Sequence, residues 1–250
     1  MTGIRRCEVR VGGQTVRYEV AGKGEPVILV HGLSGSTRWW RNTVPDLERS
    51  YRVYTIDLPG FGSMRRLGKV FVLREAADWL LNWMRTIGIE RAHMVGHSMG
   101  GYVCLMLAAL HPEAVDRLVL VDLAGLPTGR SMMGHVVPLA HDVILSNHSF
   151  LPVLVFDALR SGPRILWRTA RDLLQEDVRT QLQHLVSPTL IVWGEKDVLM
   201  PPSAGVILRE EIAHSRLVVI QDARHVPMFD KPREFNEIVL RFLASEEVGD

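Results

Sequence analysis

The chain has few cysteines and no long hydrophobic run, and each absence argues against a class of protein. Cys7 and Cys104 are the only cysteines among 250 residues, and they lie far apart. Two such cysteines make neither a disulfide framework nor a metal site, so a reducing cytoplasm is the predicted compartment. No apolar run approaches the roughly 18–20 residues that span a bilayer. No apolar stretch follows Arg5 and Arg6, so we expect no signal peptide and no membrane segment.

The chain also lacks an excess of charge of either sign. It has 29 Lys and Arg residues against 28 Asp and Glu residues, a net charge of +1, and no block of like charge. This balance argues against electrostatic binding to nucleic acid or to acidic lipid. Apolar residues make up 47% and charged residues 23%, as in ordinary globular proteins. We therefore expect a globular monomer or homodimer that acts on a small molecule.

Short apolar runs rich in β-branched residues alternate with helical patterns along the chain. Runs without polar alternation are typical of strands that are buried on both faces of a parallel sheet. The predicted strands are a hairpin of Cys7–Val11 and Thr15–Val20, then Val27–Val30, Val53–Ile56, Ala92–Val95, Leu118–Val121, Leu190–Trp193 and Leu217–Ile220. Apolar spacing of three or four residues predicts helices from Leu73 to Ile87, from Met99 to Leu110 and from Pro232 to Leu243. This alternation indicates an α/β fold with an open sheet.

One interval is too long for a simple crossover between strands. It runs from Leu123 to Thr189, whereas a crossover needs about a dozen residues. Several prolines and glycines divide it into short pieces with helical character. We interpret residues 125–185 as an inserted cap of short helices, with residues 1–124 and 186–250 forming the two parts of the core.

The segment Gly96–Gly101 reads G-H-S-M-G-G and lies between a predicted strand and a predicted helix. A G-x-S-x-G pattern in that setting is typical of a nucleophile elbow, in which Ser98 would sit on a sharp turn. Glycines at 96 and 100 would remove side chains that clash when strand and helix pass close by. The alternative is an ordinary glycine-rich loop between a strand and a helix.

The segment His31–Ser36 follows another predicted strand and contains two glycines. Its small residues would let the chain turn tightly and point the Leu33 N–H inward. Together with the Met99 N–H, that group would form an oxyanion hole. The alternative is a structural turn without a catalytic role.

An acid and a histidine follow the last two predicted strands. Asp197 comes after the strand Leu190–Trp193, and His225 comes after the strand Leu217–Ile220. With Ser98 they occur in the order Ser…Asp…His, which is the chain order of α/β-hydrolase triads. Asp122 ends another strand and is the main alternative acid, whereas Asp222 is tethered too close to the histidine.

Five segments together resemble the α/β-hydrolase fold family, in particular its small capped members, which include esterases, C–C hydrolases and cofactor-free haloperoxidases. The matching segments are H-G-L-S-G-S (31–36), D-L-P-G-F-G (57–62), G-H-S-M-G-G (96–101), G-E-K-D (194–197) and R-H-V-P-M-F-D-K-P (224–232). The resemblance implies an eight-stranded, mostly parallel sheet with an antiparallel second strand, flanked by helices, and a helical cap inserted after strand six. It also implies that Ser98 is the nucleophile, with Asp197 and His225 as its partners and Leu33 and Met99 at the oxyanion hole.

Residues that the chain lacks narrow the activity within that family. Epoxide hydrolases and haloalkane dehalogenases carry Asp at the elbow, where this chain has Ser98. No HExxH motif, Cys/His cluster or Walker lysine motif is present, so no metal and no cofactor are expected. The expected activity is a serine carboxylesterase that forms an acyl-enzyme.

The predicted cap is markedly apolar, which favours uncharged, hydrophobic esters of short to medium chain length. The residues expected to contact substrate are His31, Gly32, Trp39, Met132, Val136 and Leu154. The main alternative is a C–C hydrolase of meta-cleavage products, for which Arg160, Arg164, Arg168 and Arg171 would bind a carboxylate. In such relatives an aromatic residue often follows the histidine, whereas this chain has Val226. A perhydrolase and a small-ligand receptor with the same triad remain further alternatives.

Overall fold

Eight strands form one sheet at the centre of the protein. The computed structural model describes residues 3–65, 72–127, 129, 131–145 and 147–246, so positions 128, 130 and 146 of the predicted cap lie outside the described residues. The strands are β1 (Arg5–Val11), β2 (Gln14–Gly22), β3 (Pro26–Val30), β4 (Arg52–Ile56), β5 (Ala92–His97), β6 (Val115–Val121), β7 (Thr189–Gly194) and β8 (Ser215–Ile220).

The strand order is β1-β2-β4-β3-β5-β6-β7-β8. Strand β2 runs antiparallel to both β1 and β4, and every other neighbouring pair is parallel. The prediction of an eight-stranded, mostly parallel sheet with an antiparallel second strand is therefore confirmed. Because β3 and β5 are neighbours and parallel, the loops that follow them meet at one edge of the sheet.

Ten α-helices flank the sheet within the described ranges. They are α1 (Val44–Leu47), α2 (Ala76–Thr86), α3 (Met99–Leu110), α4 (Val136–Leu145), α5 (Leu151–Ser161), α6 (Pro163–Leu173), α7 (Arg179–Leu182), α8 (Ser203–Glu211), α9 (Pro227–Asp230) and α10 (Pro232–Leu243). None of these combines the length and the hydropathy that crossing a bilayer would take.

The core lies in two layers, one on each face of the sheet. Along β3, Ile28 and Val30 belong to the cluster that α2, α3 and α8 cover, whereas Val27 and Leu29 belong to the cluster that α1 and α10 cover. Both faces of this strand are therefore buried. A strand in this position needs apolar residues at every place, which explains its uninterrupted apolar run.

The predicted helices agree with the structure apart from small shifts at their ends. Helix α3 has the bounds that its apolar pattern predicts. The helix predicted from Leu73 to Ile87 begins with a 3-10 turn at Leu73–Glu75, and α2 follows directly. Gly88 follows α2 with a φ of 78°, a left-handed conformation that glycine adopts without strain at a helix end.

The chain between β6 and β7 contains helices α4 to α7 and is tied to the rest of the protein by polar contacts. Ser36 Oγ donates a 2.6 Å hydrogen bond to Oδ2 of Asp157 on α5. The amide of Asn147 donates to the Phe229 carbonyl oxygen over 2.9 Å. These contacts hold the helical segment above the loops that follow the strands.

Candidate active site

Ser98 lies on a sharp turn between β5 and α3. Its backbone has φ 51° and ψ −115°, a region that non-glycine residues rarely occupy. The flanking glycines are required by contact, because a Cβ on Gly96 would lie 2.4 Å from the Gly100 carbonyl oxygen. A Cβ on Gly100 would in turn lie 2.3 Å from the Val30 carbonyl oxygen. The local geometry is therefore that of a nucleophile elbow.

The side chains of Ser98, His225 and Asp197 form a continuous hydrogen-bonded chain. His225 Nδ1 lies 2.7 Å from Asp197 Oδ2, and His225 Nε2 lies 3.2 Å from Ser98 Oγ. A carboxylate only accepts, so Nδ1 carries the proton and Nε2 is free to accept from the serine hydroxyl. The exposed fractions are 7%, 7% and 3% for Ser98, His225 and Asp197, so water has little access to the chain.

The Asp197 carboxylate is held by the backbone that follows it. Its Oδ1 accepts hydrogen bonds from the Leu199 and Met200 N–H groups, at 2.8 and 2.9 Å. These two bonds leave Oδ2 directed at His225. Three hydrogen bonds to one carboxylate fix its orientation.

Opposing effects set the proton affinity of His225. Burial disfavours the charged imidazolium and lowers the pKa. The charge and hydrogen bond of Asp197 act in the opposite direction, as do the charges of Asp122 and Asp142. Together these carboxyls outweigh burial and raise the pKa of His225 to about 9. An imidazole beside a fixed carboxylate is a stronger base than a free one. The group is therefore suited to accept a proton from Ser98.

The two other carboxyl groups weighed as partners of His225 have different surroundings. Asp122 is completely buried, and its Oδ1 accepts the Gly194 N–H at 2.8 Å. Burial, followed by the charge of Asp197, raises the pKa of Asp122 well above its usual range. Asp222 is exposed and pairs with Lys196. Only Asp197 reaches Nδ1 of His225.

The loop after β3 lies against the elbow. Gly32 is packed so closely that a Cβ there would lie 2.6 Å from His97 Nδ1 and 3.2 Å from Ser98 Cβ. The next residue, Leu33, is partly buried. The Met99 N–H belongs to the first turn of α3, where backbone donors have no partner within the helix. Leu33 and Met99 thus belong to the two segments that adjoin Ser98.

His31 is fully buried and bonded to the backbone through both ring nitrogens. Its Nδ1 donates to the Gly32 carbonyl oxygen at 2.8 Å, and its Nε2 accepts the Leu58 N–H at 3.0 Å. Burial lowers the pKa of His31, which agrees with a neutral ring. These contacts favour a structural role for this side chain over direct contact with substrate.

The other residues expected to bind substrate differ in exposure. The Trp39 ring is buried and lies 5.0 Å from the ring of Phe150, and Leu154 packs on the same cluster. Met132 is partly exposed, and Val136 is 48% exposed. Trp39 and Leu154 therefore pack in the apolar cluster that joins the helices after β6 to the rest of the protein, whereas about half of the Val136 side chain is exposed.

Of the four arginines expected to bind a carboxylate in the alternative activity, Arg164, Arg168 and Arg171 are exposed. Arg168 and Arg171 both lie near the Asp172 carboxylate, at 3.8 and 2.8 Å. The guanidinium of Arg160 stacks 5.0 Å above the Phe156 ring. The three exposed arginines match a solvated helix face, whereas Arg160 is partly buried and its Nε is buried.

Asp142 is a residue of this region that the sequence patterns did not single out. It lies on α4, is only 8% exposed, and interacts electrostatically with both His225 and Asp197. Burial raises its pKa, and the charge of His225 opposes that rise. Asp142 is the only carboxylate in the largely apolar segment Val136–Leu145, and this pattern could have identified it as a candidate site residue.

Three buried side chains beside Ser98 have the composition of a metal site. His97, Asp122 and His225 each place one potential ligand atom within 4.8 Å of the others. His97 Nε2 is directed at the His225 carbonyl oxygen, and both nitrogens of His225 are used by Asp197 and Ser98. The cluster is thus part of the hydrogen-bonded site itself.

The chain is similar to known hydrolases over nearly its whole length. The sequence profile described as alpha/beta hydrolase fold matches residues 25–151 and 153–232. The pimeloyl-(acyl-carrier protein) methyl ester esterase of Aeromonas hydrophila subsp. hydrophila is 30% identical over 92% of this chain and 100% of its own length.

Two solved structures resemble this one closely. A bacterial membrane phospholipase A has a TM-score of 0.85 and 25% identity, covering 97% of this chain and 86% of its own. The meta-cleavage product hydrolase from Pseudomonas fluorescens IP01 has a TM-score of 0.80 and 26% identity, covering 98% of both chains. Ester and C–C bond hydrolases are both represented among these similar proteins.

Proposed function

This chain belongs to the α/β-hydrolase family, and on that premise we propose that it is a serine carboxylesterase that works through Ser98, His225 and Asp197. The observation that carries the proposal is the hydrogen-bonded chain of 3.2 and 2.7 Å that links these three side chains. The strained turn at Ser98 supports it, because it presents the hydroxyl to His225 at the edge of the sheet.

In the proposed reaction, Ser98 Oγ attacks the carbonyl carbon of an ester while His225 Nε2 takes the hydroxyl proton. Asp197 keeps the imidazole oriented and stabilises its charged form. His225 then gives the proton to the leaving alcohol as the acyl–oxygen bond breaks. Water, deprotonated by the same nitrogen, attacks the acyl-enzyme and releases the acid.

The oxyanion of each tetrahedral intermediate would accept hydrogen bonds from the N–H groups of Leu33 and Met99. The position of Met99 at the first turn of α3 supports this role, since that N–H has no partner within the helix. The close packing of Gly32 on Ser98 supports the role of Leu33, because it brings this loop beside the nucleophile. Each such donor typically contributes a factor of about 10²–10³ to the rate.

The proposed substrates are uncharged, hydrophobic esters of short to medium chain length. Trp39 and Leu154 are proposed to contact the acyl group, together with Gly32, Met132 and Val136. The cluster of Trp39, Leu154 and Phe150 supports an apolar acyl site where the cap helices meet the core. The domain division stays as predicted, a cap at 125–185 between core parts at 1–124 and 186–250.

The proposed setting of the enzyme follows from the composition of the chain. Cys7 and Cys104 are both unpaired thiols, which supports a reducing compartment such as the cytoplasm. The nearly balanced charge supports a small-molecule substrate without a nucleic-acid partner. A monomer or a homodimer without a cofactor remains our proposal.

A C–C bond hydrolase is the second candidate, and the structural similarity to a meta-cleavage product hydrolase favours it. Its substrates are carboxylates, and the exposed Arg164, Arg168 and Arg171 offer no buried partner for such a group. The charge of Asp142 beside His225 would also repel a carboxylate. We therefore place ester hydrolysis first.

The first experiment is hydrolysis of p-nitrophenyl esters from acetate to palmitate by the wild type, Ser98→Ala and Ser203→Ala. Ser203 is an exposed serine at the start of α8 and serves as the matched control. We expect turnover to peak at short or medium chains and to fall by about 10³-fold or more in Ser98→Ala, the size of effect that loss of a nucleophile produces. Circular dichroism should show that both variants are folded.

Wild-type turnover in Ser98→Ala would refute the mechanism. If no ester reacts although Ser98 is still labelled by a fluorophosphonate, the proposal of an esterase fails. A meta-cleavage product would then be the substrate to try, and slow or absent turnover of that compound would favour a receptor on the same fold.

A further inference from the structure

Helix α4 has the reverse of the usual amphipathic pattern. Its only buried residue is Asp142, whereas Val137 and Ile144 are each 76% exposed. A cap helix that rests on a core normally buries its apolar side chains and exposes its charges. Here the single acidic side chain of the helix is the one that faces the protein.

Asp142 is buried against the protein, and electrostatic interactions link it to the candidate active site. Its charge interacts with His225 and Asp197, and also with Asp230 and Arg224. Asp230 is already engaged, because it accepts the Arg224 N–H at 2.8 Å. His225 in turn interacts with the charge of Asp142. The Asp142 carboxyl is thus within electrostatic range of the imidazole that is proposed to act as general base.

This carboxyl lacks the partners that a buried charge normally has. Its Oδ1 is buried and has no hydrogen-bond partner among the residues that the structure describes. Asp142 makes no ion pair within the same described ranges. The Arg224 side chain, with which its charge interacts, has a buried Nε that also lacks a hydrogen-bond partner. Burying a carboxylate without a hydrogen-bond partner costs free energy. A ligand group that donates a hydrogen bond to Oδ1 would reduce that cost.

We infer that Asp142 is a specificity residue that accepts a hydrogen bond from a hydroxyl or ammonium group on the acyl part of the substrate and disfavours acyl groups that carry a carboxylate. The inference rests on the proposed esterase activity and refines it, since it adds one polar group to an otherwise hydrophobic acyl chain. The partner that the protein does not provide is then supplied by the substrate when it binds.

The test uses p-nitrophenyl phenylacetates that differ only at the 4-position, as methyl, hydroxymethyl, aminomethyl or carboxyl. The enzymes are the wild type, Asp142→Asn, Asp142→Leu and, as a matched control, Asp172→Asn. Asp172 is a cap carboxyl that pairs with Arg171 on α6. Each enzyme is also titrated with 4-methylbenzylamine and 4-methylbenzoate by calorimetry, so that binding is measured without turnover.

We expect the wild type to prefer the aminomethyl and hydroxymethyl esters over the methyl ester, and the carboxyl ester to react most slowly. In Asp142→Asn, kcat/KM for the aminomethyl ester should fall about 10- to 100-fold, the range that a hydrogen bond to a charged group contributes. In the same variant, kcat/KM for the hydroxymethyl ester should fall less, since the amide oxygen still accepts a hydrogen bond from the hydroxyl. Asp142→Leu should lose the preference for both polar esters. The methyl ester, compared at a pH above the His225 inflection, and the Asp172→Asn control should stay near wild type.

Two further readouts separate recognition from a structural role. The wild type should bind the amine more tightly than the carboxylate, and Asp142→Asn should abolish that difference. Loss of the Asp142 charge should also move the acidic limb of the kcat/KM profile to lower pH, because this charge favours the protonated form of His225.

Unchanged selectivity in Asp142→Asn, or a preference of the wild type for the carboxyl ester, would overturn the inference while leaving the esterase intact. Failure of every ester would refute the proposed function instead. Calorimetry would then still decide the role of Asp142, because equal affinities for amine and carboxylate in the wild type would refute it.

Discussion

His97 Nε2 donates a 2.6 Å hydrogen bond to the backbone carbonyl oxygen of His225. The residue before the proposed nucleophile therefore holds the loop that carries the proposed base. The two rings are 4.9 Å apart, yet their proton affinities move in opposite directions. Burial and the charge of His225 lower the pKa of His97 well below its usual range, whereas neighbouring carboxyls raise that of His225. One ring stays neutral while the other exchanges a proton.

The raised pKa of His225 predicts the pH dependence of catalysis. A general base must be unprotonated, and a raised pKa keeps the proton on the imidazole to a higher pH. We expect kcat/KM to rise with pH and to level off near the value of about 9 that the buried carboxyls impose. The measurement is a pH profile on a neutral ester, corrected for hydrolysis in the presence of Ser98→Ala. An inflection at or below the ordinary histidine pKa of about 6.5 would contradict the prediction.

Isosteric replacements distinguish the two buried acids near His225. Asp197→Asn should lower kcat by about 10³–10⁴-fold, because an amide neither fixes the required tautomer nor stabilises the imidazolium. Asp122→Asn should lose far less activity, because His225 Nδ1 is bonded to Asp197 and an amide oxygen at position 122 still accepts the Gly194 N–H. Steady-state kinetics on the same ester compares the two variants. A large loss in Asp122→Asn with a small one in Asp197→Asn would reverse the assignment.

The contact between Ser36 and Asp157 predicts how α5 is held to the loop after β3. Removing the Ser36 hydroxyl leaves the buried Asp157 carboxylate without its 2.6 Å donor. Ser36→Ala should therefore lower the free energy of unfolding by about 1–3 kcal/mol. The guanidinium of Arg38, the second partner of Asp157, is half exposed and solvated, so Arg38→Ala should have the smaller effect and is the matched comparison. Urea unfolding measures both, and an equal or larger effect of Arg38→Ala would argue against this ranking.

The close approach of Gly32 to Ser98 predicts that a single methyl group there impairs catalysis. A Cβ at this position would lie 2.6 Å from His97 Nδ1, so the loop that carries Leu33 must move. We expect Gly32→Ala to lower kcat by about 10²–10³-fold, as loss of one oxyanion donor does. Gly3→Ala is the control, because its Cβ would meet no atom within 4 Å. A Gly32→Ala variant with full activity would remove this loop from the proposed oxyanion hole.

Much of the fold was predictable from local patterns. Strands that are buried on both faces need an apolar residue at every position, so runs such as Val27–Val30 and Leu118–Val121 were recognisable. The segment Gly96–Gly101 was recognisable as well, because a turn this sharp requires glycine at fixed spacing. The boundaries were less accurate, since the ends of β5 and α2 depend on neighbouring elements.

The helices between β6 and β7 were predictable only as a group. Frequent prolines and glycines indicated short helices between residues 125 and 185, but nothing local indicates which side of each helix faces the core. An apolar helix that turns its one acid inward, as α4 does, contradicts the pattern on which such predictions rest.

The amino-acid sequence by itself determined the order of strands and helices and the segments that carry Ser98, Asp197 and His225, because backbone conformation and burial impose local spacing rules. Only the tertiary structure decided which carboxyl group meets His225 Nδ1. Asp122 and Asp197 both follow a strand that ends at the same edge of the sheet, so their local patterns are alike. A hydrogen bond of 2.7 Å and the burial of a charge depend on atoms brought together from distant parts of the chain, and these contacts separate the two acids.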